Sequence, residues 1–183
     1  MNRTQALALL HEYTANENLR KHAYAVEAAM RAYALRFGGD PERWGVVGLL
    51  HDFDYERWPD PPEHTRRGAA ILHAQGVDEE IVTAILSHAE WNEIPRDTPL
   101  KRALFAVDEL VGFITAVALV RPSKLLAEVD VGAVRRKMKD KAFARAVRRE
   151  DITEGAALLG VDLDEHIATV LAAMQSIHAE LEL

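Results

Sequence analysis

The amino-acid sequence predicts an all-α fold, on three observations. Apolar residues recur at three- and four-residue spacing along nearly the whole chain, as amphipathic helices require. No window alternates apolar and polar residues between turn signals, so no important sheet is expected. The Gly- and Pro-rich stretches fall between the periodic segments rather than inside them. The 183 residues, 49% hydrophobic and 28% charged, suit one domain with a real core, since domains run to roughly 100–200 residues. The expectation is one domain over residues 1–183, with a helical core at about 17–120 and a helical extension at about 121–183.

The elements follow in order. Thr4 is placed to cap a first helix that carries Leu7, Leu9 and Leu10. Residues 17–37 form a second, with Leu19, Ala23, Val26, Met30 and Tyr33 along one face. Gly38-Gly39-Asp40-Pro41 ends it, and Pro41 suits the first position of a third helix reaching about residue 52. That helix is apolar on most sides and should be central. Trp58-Pro59-Asp60-Pro61-Pro62 cannot be regular helix and marks a loop. Helical pattern resumes over residues 65–74, and Gly76 is a stop. Asp78 then caps residues 79–88. The stretch 91–98, between prolines, is a second loop. A long helix occupies residues 100–120 until Pro122-Ser123. Residues 129–183 read as three or four more helices, the last at 164–180.

Composition excludes several classes. With no cysteine there is no disulfide scaffold, thiolate zinc site, iron–sulfur cluster or cysteine nucleophile. Any metal must be held by nitrogen and oxygen ligands, and eight histidines can supply the nitrogen. The net charge of −7 argues against DNA binding, which positive charge drives. That total conceals a contrast. Residues 135–149 hold eight basic side chains and one acid, leaving −14 for the remainder. Such a stretch is a solvated face or a patch that attracts a phosphorylated ligand. No segment reads as a secretory leader. Residues 110–120 are about half of what a bilayer span needs. A cytoplasmic location without membrane association is expected.

His51-Asp52 is the first pair that could carry chemistry. As a dipeptide it means little, because chance supplies about half a copy in such a composition. Its position matters more, since it follows the apolar run Trp44-Gly45-Val46-Val47-Gly48-Leu49-Leu50. A buried carboxylate beside a buried imidazole is costly unless paired, hydrogen-bonded or metal-bound. His22 lies mid-helix beside an apolar face, and Asp108 interrupts the most hydrophobic helix in Leu104-Phe105-Ala106-Val107-Asp108. Helices meeting around one cation would satisfy all these groups at once. His64, after the Pro-rich loop, and His88, ending the next helix, could join them. His11, His73, His166 and His178 read as ordinary histidines.

The order His22 … His51-Asp52 … Asp108 on an all-helical chain resembles the HD-domain superfamily of metal-dependent phosphohydrolases. Gly48-Leu49-Leu50-His51-Asp52 is similar to the family's central helix, often Leu-Leu-His-Asp-Ile-Gly. His64-x-x-x-Gly68-Ala69-x-x-Leu72 is similar to the element that follows it in many members. Ile85-Leu86-Ser87-His88-Ala89-Glu90 resembles the next histidine region, and Val107-Asp108 the terminal aspartate. The resemblance spans residues 22–120 and implies an HD-type helical bundle with additional C-terminal helices. It also implies a first metal on His22, His51, Asp52 and Asp108, and a second on His64 and His88 with Asp52 bridging. The catalytic residues would be Asp52 and His51. The cofactor would be one or two divalent ions, with iron, manganese, magnesium, nickel and zinc not distinguished.

This chain continues His51-Asp52-Phe53-Asp54-Tyr55 where many relatives have His-Asp-Ile-Gly-Lys. The lysine that assists phosphate in some branches is therefore absent, as is the Gly-Tyr-Pro signature of the cyclic-dinucleotide branch. Lys101, Arg102, Arg121 and Lys124 are candidate replacements, and Glu90 a candidate proton-transfer or supporting group. The implied function is hydrolysis of a small phosphorylated molecule, a nucleotide being the leading substrate class, by metal-activated water. The alternatives are a di-iron oxygenase on the same six ligands and a non-catalytic binding or signalling module. Four buried polar ligands argue against the last. Substrate identity and oligomeric state cannot be read from the sequence.

Overall fold

The computed structural model describes every residue, Met1–Leu183, as ten α-helices with no strand. They are α1 (Arg3–Tyr13), α2 (Glu17–Phe37), α3 (Pro41–Leu50), α4 (Glu63–Ala74), α5 (Glu79–His88), α6 (Pro99–Leu119), α7 (Val131–Met138), α8 (Arg149–Leu159), α9 (Leu163–Ser176) and α10 (His178–Leu181). Short 3-10 turns occupy Glu90–Asn92 and Leu126–Glu128. No helix is long and apolar enough to cross a membrane.

The helix starts follow local chemistry. Asp40 accepts from the backbone N–H groups of Glu42 and Arg43 at the head of α3, and Asp78 accepts from Glu80 at the head of α5. Two boundaries differ from expectation. Asn2, not Thr4, caps α1, because its side chain and that of Gln5 form a reciprocal capping box. The expected last helix is broken at Ile177, whose φ of −120° and ψ of 23° leave the helical range. The break lets α10 turn onto α2 and bury Leu181.

The centre of the bundle is built from α2, α3 and α6. Every residue from Trp44 to Leu50 is buried, as the all-round apolar pattern of α3 requires. Helix α2 packs most extensively on α3, α6 packs on α2 and α5, and α1 covers α3. In the C-terminal part, α8 lies against α6, while α9 contacts both α2 and α6. Gly48 permits the tight α2–α3 approach, since a Cβ there would stand 3.0 Å from the backbone of Glu27. This contact brings the end of α3, with His51, alongside the middle of α2, with His22.

Candidate metal centre

Two groups of metal-competent side chains converge at this meeting of helices. His22, His51, Asp52 and Asp108 present donor atoms within 4.8 Å of one another, and so do Asp52, His64 and His88. Asp52 belongs to both. Its Oδ2 lies 3.4 Å from His51 Nε2, while its Oδ1 lies 3.2 Å from the Nε2 atoms of both His64 and His88. Asp108 Oδ1 is 3.0 Å from His22 Nε2 and 3.5 Å from His51 Nε2. All six residues singled out in the sequence therefore lie together. His11, His73, His166 and His178 belong to neither group.

The backbone aims these nitrogens. His51 caps the C-terminus of α3, and its Nδ1–H donates to the carbonyl of Gly48, 2.8 Å away. His88 ends α5 and repeats the device on the carbonyl of Ile85, at 2.6 Å. In both, one ring nitrogen is spent on a carbonyl three residues back, which turns Nε2 toward the centre. Two helix C-termini, the negative ends of their dipoles, thus point where positive charge is wanted.

His64 is oriented by a residue the sequence reading passed over. Its Nδ1–H donates to Asp54 Oδ1 at 3.0 Å, and Asp54 Oδ2 accepts from the backbone N–H of Gly68 at 2.7 Å. Carboxylate–imidazole support of this kind orients metal-binding histidines. Asp54 was visible only as a departure from the family string. Gly68 is required here, because a Cβ would stand 3.0 Å from Asp54 Oδ2 and 2.9 Å from the ring of Phe53.

The entry to α4 is not a simple helix start. His64 is extended (φ −54°, ψ 137°) and Thr65 takes φ +64°, a strained value for a β-branched residue. Asn92 Nδ2 donates to Thr65 Oγ1 at 2.7 Å and to the carbonyl of Leu86 at 2.9 Å, so the second loop holds the kink. A further positioning residue, Arg96, donates to the carbonyls of Ser87 and His88 at the end of α5 while lying over the Phe105 ring.

Electrostatics marks the centre as one that demands positive charge. Burial alone would depress the imidazole of His51, but the carboxylates of Asp52 and Asp108 outweigh it and hold it well above its usual value. Burial likewise opposes ionisation of Asp52, yet His51, His64 and His88 together hold it well below the carboxylate range. Asp108 is lowered in the same way, against burial, by His51 and His22. For His64, burial is overcome by Asp52 and Asp54, and its pKa rises to about 9. The fit to a divalent cation also rests on an orphaned atom. Asp52 Oδ1 is buried and has no hydrogen-bond partner, although two imidazole nitrogens face it. Imidazole and carboxylate without thiolate suit several first-row metals and magnesium.

Above the centre lies a cavity of about 240 Å³ whose wall includes Asp52, His64, His88 and Asp108. Tyr55 and Trp91 reach it from the two loops, each about 40% exposed. Glu109 also lines it, pushed up to about 7 by burial and by the adjacent Asp108. The candidate phosphate-binding residues lie elsewhere. Lys101 pairs with Asp97, Arg102 bonds backbone carbonyls of Arg96 and Asp97, Arg121 lies near Glu128, and none of these or Lys124 lines the cavity. A one-dimensional pattern of basic residues does not say which helix face each will occupy. Arg148, from the basic 135–149 stretch, is the guanidinium that does line it, and Glu90 is its ion-pair partner at 2.8 Å.

The fold has a solved counterpart. The HD domain of the phosphodiesterase PgpH from L. monocytogenes superposes with a TM-score of 0.51 at 12% identity, covering 97% of this chain and 99% of that one. A family model described as HD domain matches residues 19–112. That match takes in all six converging residues and more than half the length: the chain belongs to the HD domain family.

Proposed function

We propose that this protein is a metal-dependent phosphohydrolase acting on a small phosphorylated molecule. The observation that carries the reading is Asp52, whose two carboxylate oxygens serve two histidine groups at the floor of one cavity. His22, His51, Asp52 and Asp108 would hold one divalent cation, and Asp52, His64 and His88 a second. Such ions supply Lewis-acid chemistry, acidifying water toward neutral pKa and neutralising charge on a phosphoryl oxygen. The chain's own residues do the rest. His51, with its Nδ1–H committed to Gly48, keeps Nε2 as a ligand in a fixed direction. Asp52 ties the two groups together and orients the attacking water. Trp91 and Tyr55 stand at the mouth beside charged side chains and narrow the approach to the centre.

A nucleotide is the substrate class we favour. Ligand pockets for drug-sized molecules occupy roughly 300–1,000 Å³, more than the 240 Å³ available here. The cavity therefore takes the phosphate end, while Trp91 and Tyr55 offer exposed rings at the mouth for a base to stack on. We further propose that residues 1–183 act as one HD-type domain in the cytoplasm, with a metal-binding core at about 17–120 and residues 121–183 as a helical extension. The test is metal analysis of protein purified without chelator, joined to a screen of nucleotides and phosphomonoesters. Stoichiometric metal with phosphate release, both lost in Asp52→Ala, is the expected result. Oxygen-dependent turnover of the iron-loaded protein without phosphate release under any metal would replace this reading with the oxygenase.

A further inference from the structure

The cavity poses a charge problem for a phosphohydrolase. Asp52, Glu90, Asp108, Glu109 and Asp151 all line it, whereas a phosphate monoester brings about −1.5 to −2 charges of its own near pH 7. Two divalent ions would offset Asp52 and Asp108 and leave a positive surplus at the floor, but Glu90, Glu109 and Asp151 would still oppose an arriving phosphate. Arg148 is the one arginine or lysine in the lining, and the two histidines there are candidate metal ligands.

Its placement is built, not incidental. Arg148 precedes the first turn of α8, and its backbone N–H donates to Glu109 Oε2 at 3.2 Å. Next to it, Arg149 turns inward and donates to carbonyls of Asp140, Phe143, Ala144 and Val147, which ties down the preceding turns. The Arg148 side chain is left 55% exposed, with Nη1 on Glu90 and Nε 3.3 Å from Asp151. Both partners are carboxylates that a phosphate oxygen can replace, since guanidinium binds either in the same planar geometry. Of the eight basic residues at 135–149, only this one enters the cavity.

We propose that Arg148 is the residue that binds the substrate's phosphate, held at the cavity mouth by Glu90 until the phosphate displaces that carboxylate. The inference rests on the phosphohydrolase reading and gives the C-terminal extension a part in the site. It is tested by titrating inorganic phosphate into the manganese-loaded full chain and four variants, with metal content and circular dichroism measured on each. Arg148→Ala should weaken phosphate binding at least about tenfold with metal content unchanged, and Arg148→Lys should recover part of the loss. Glu90→Gln should bind phosphate more tightly than wild type, because the competing carboxylate is gone. Arg145→Ala removes the same charge from an exposed position nearby and should stay within about twofold, which separates direct contact from the general field. Wild-type affinity in Arg148→Ala, or an equal loss in Arg145→Ala, overturns the proposal alone. Failure of the wild type itself to bind phosphate overturns the phosphohydrolase reading and this proposal together.

Discussion

His51 and His166 are both fully buried in the same helical bundle, yet they are opposites in chemistry. His166 is satisfied on both sides. Its Nε2–H donates to the carbonyl of Ala106 at 2.9 Å, and its Nδ1 accepts from the hydroxyl of Tyr33 at 2.6 Å. No carboxylate offsets the cost of charging it, so burial pushes its pKa down to about 4. His51 satisfies one nitrogen within its own helix and turns the other toward Asp52 and Asp108, which hold it on the charged side. Burial alone therefore does not identify a functional histidine. What makes His51 a candidate ligand is a buried nitrogen, unspent within its helix, that faces two carboxylates.

The contrast can be broken or sharpened by mutation. The largest effect is expected from Asp52→Ala, which strips a ligand from both groups at once: metal binding should fall beyond detection and activity by about a thousandfold or more. Retention of stoichiometric metal would show that the two groups do not share this carboxylate. His166→Phe should instead cost about 1–2 kcal/mol in chemical denaturation, because it removes the buried hydrogen bonds to the Tyr33 hydroxyl and the Ala106 carbonyl. Its metal content should equal that of wild type. Asp54→Ala should lower metal affinity by about 10- to 100-fold, the usual cost of removing a carboxylate that orients a ligating imidazole. A titration in which Asp54→Ala matches wild type would make its contact with His64 purely structural.

Two buried histidines, His166 and His64, also predict opposite responses to acid. An unfolded chain protonates His166 near 6.5, while the folded chain resists until about pH 4. Between these values the unfolded state binds more protons, so stability is complete above about pH 6.5 and declines as pH falls toward 4. The loss attributable to this residue is on the order of 3 kcal/mol, and it should vanish in His166→Phe. His64, held at about 9, is charged in the metal-free chain at neutral pH. Metal uptake must displace that proton. Calorimetry in two buffers of different ionisation enthalpy should therefore show proton release at pH 7, and affinity should rise with pH up to about 9. A loss of about 1 kcal/mol in stability is expected from Gly48→Ala, which pushes α3 away from the Glu27 backbone and moves His51 from His22.

Much of the fold was legible because helix signals are local. The start of α5 follows from Asp78 as a cap, and the extent of α2 from the spacing of its apolar residues up to Gly38-Gly39. The break at Ile177 was not legible, since no glycine or proline marks it and its cause is the burial of Leu181 against a helix far back in the chain. The ligand types were equally readable, because an ionisable group inside an apolar run such as Leu104–Leu110 needs a partner whatever the fold. Asp54 and Arg148 were hidden for the converse reason: each lies in an ordinary polar context and acquires meaning only from what stands opposite it.

By itself the sequence determined the helical class, the nitrogen-and-oxygen character of any metal site, and the six residues worth testing. These follow from periodicity, from the absence of cysteine, from the cost of burying charge and, for His64 and His88, from the resemblance to the HD-domain family. Only the tertiary structure decided that Asp52 stands between two groups, that Asp54 spends one nitrogen of His64, and that a single arginine of a basic stretch reaches the cavity. Those facts depend on the approach of helices whose contributing residues are as much as 86 positions apart, as for His22 and Asp108. The overall charge of −7 likewise became informative only when the structure placed Arg148 among five carboxylates, because electrostatic energy depends on distance and not on totals.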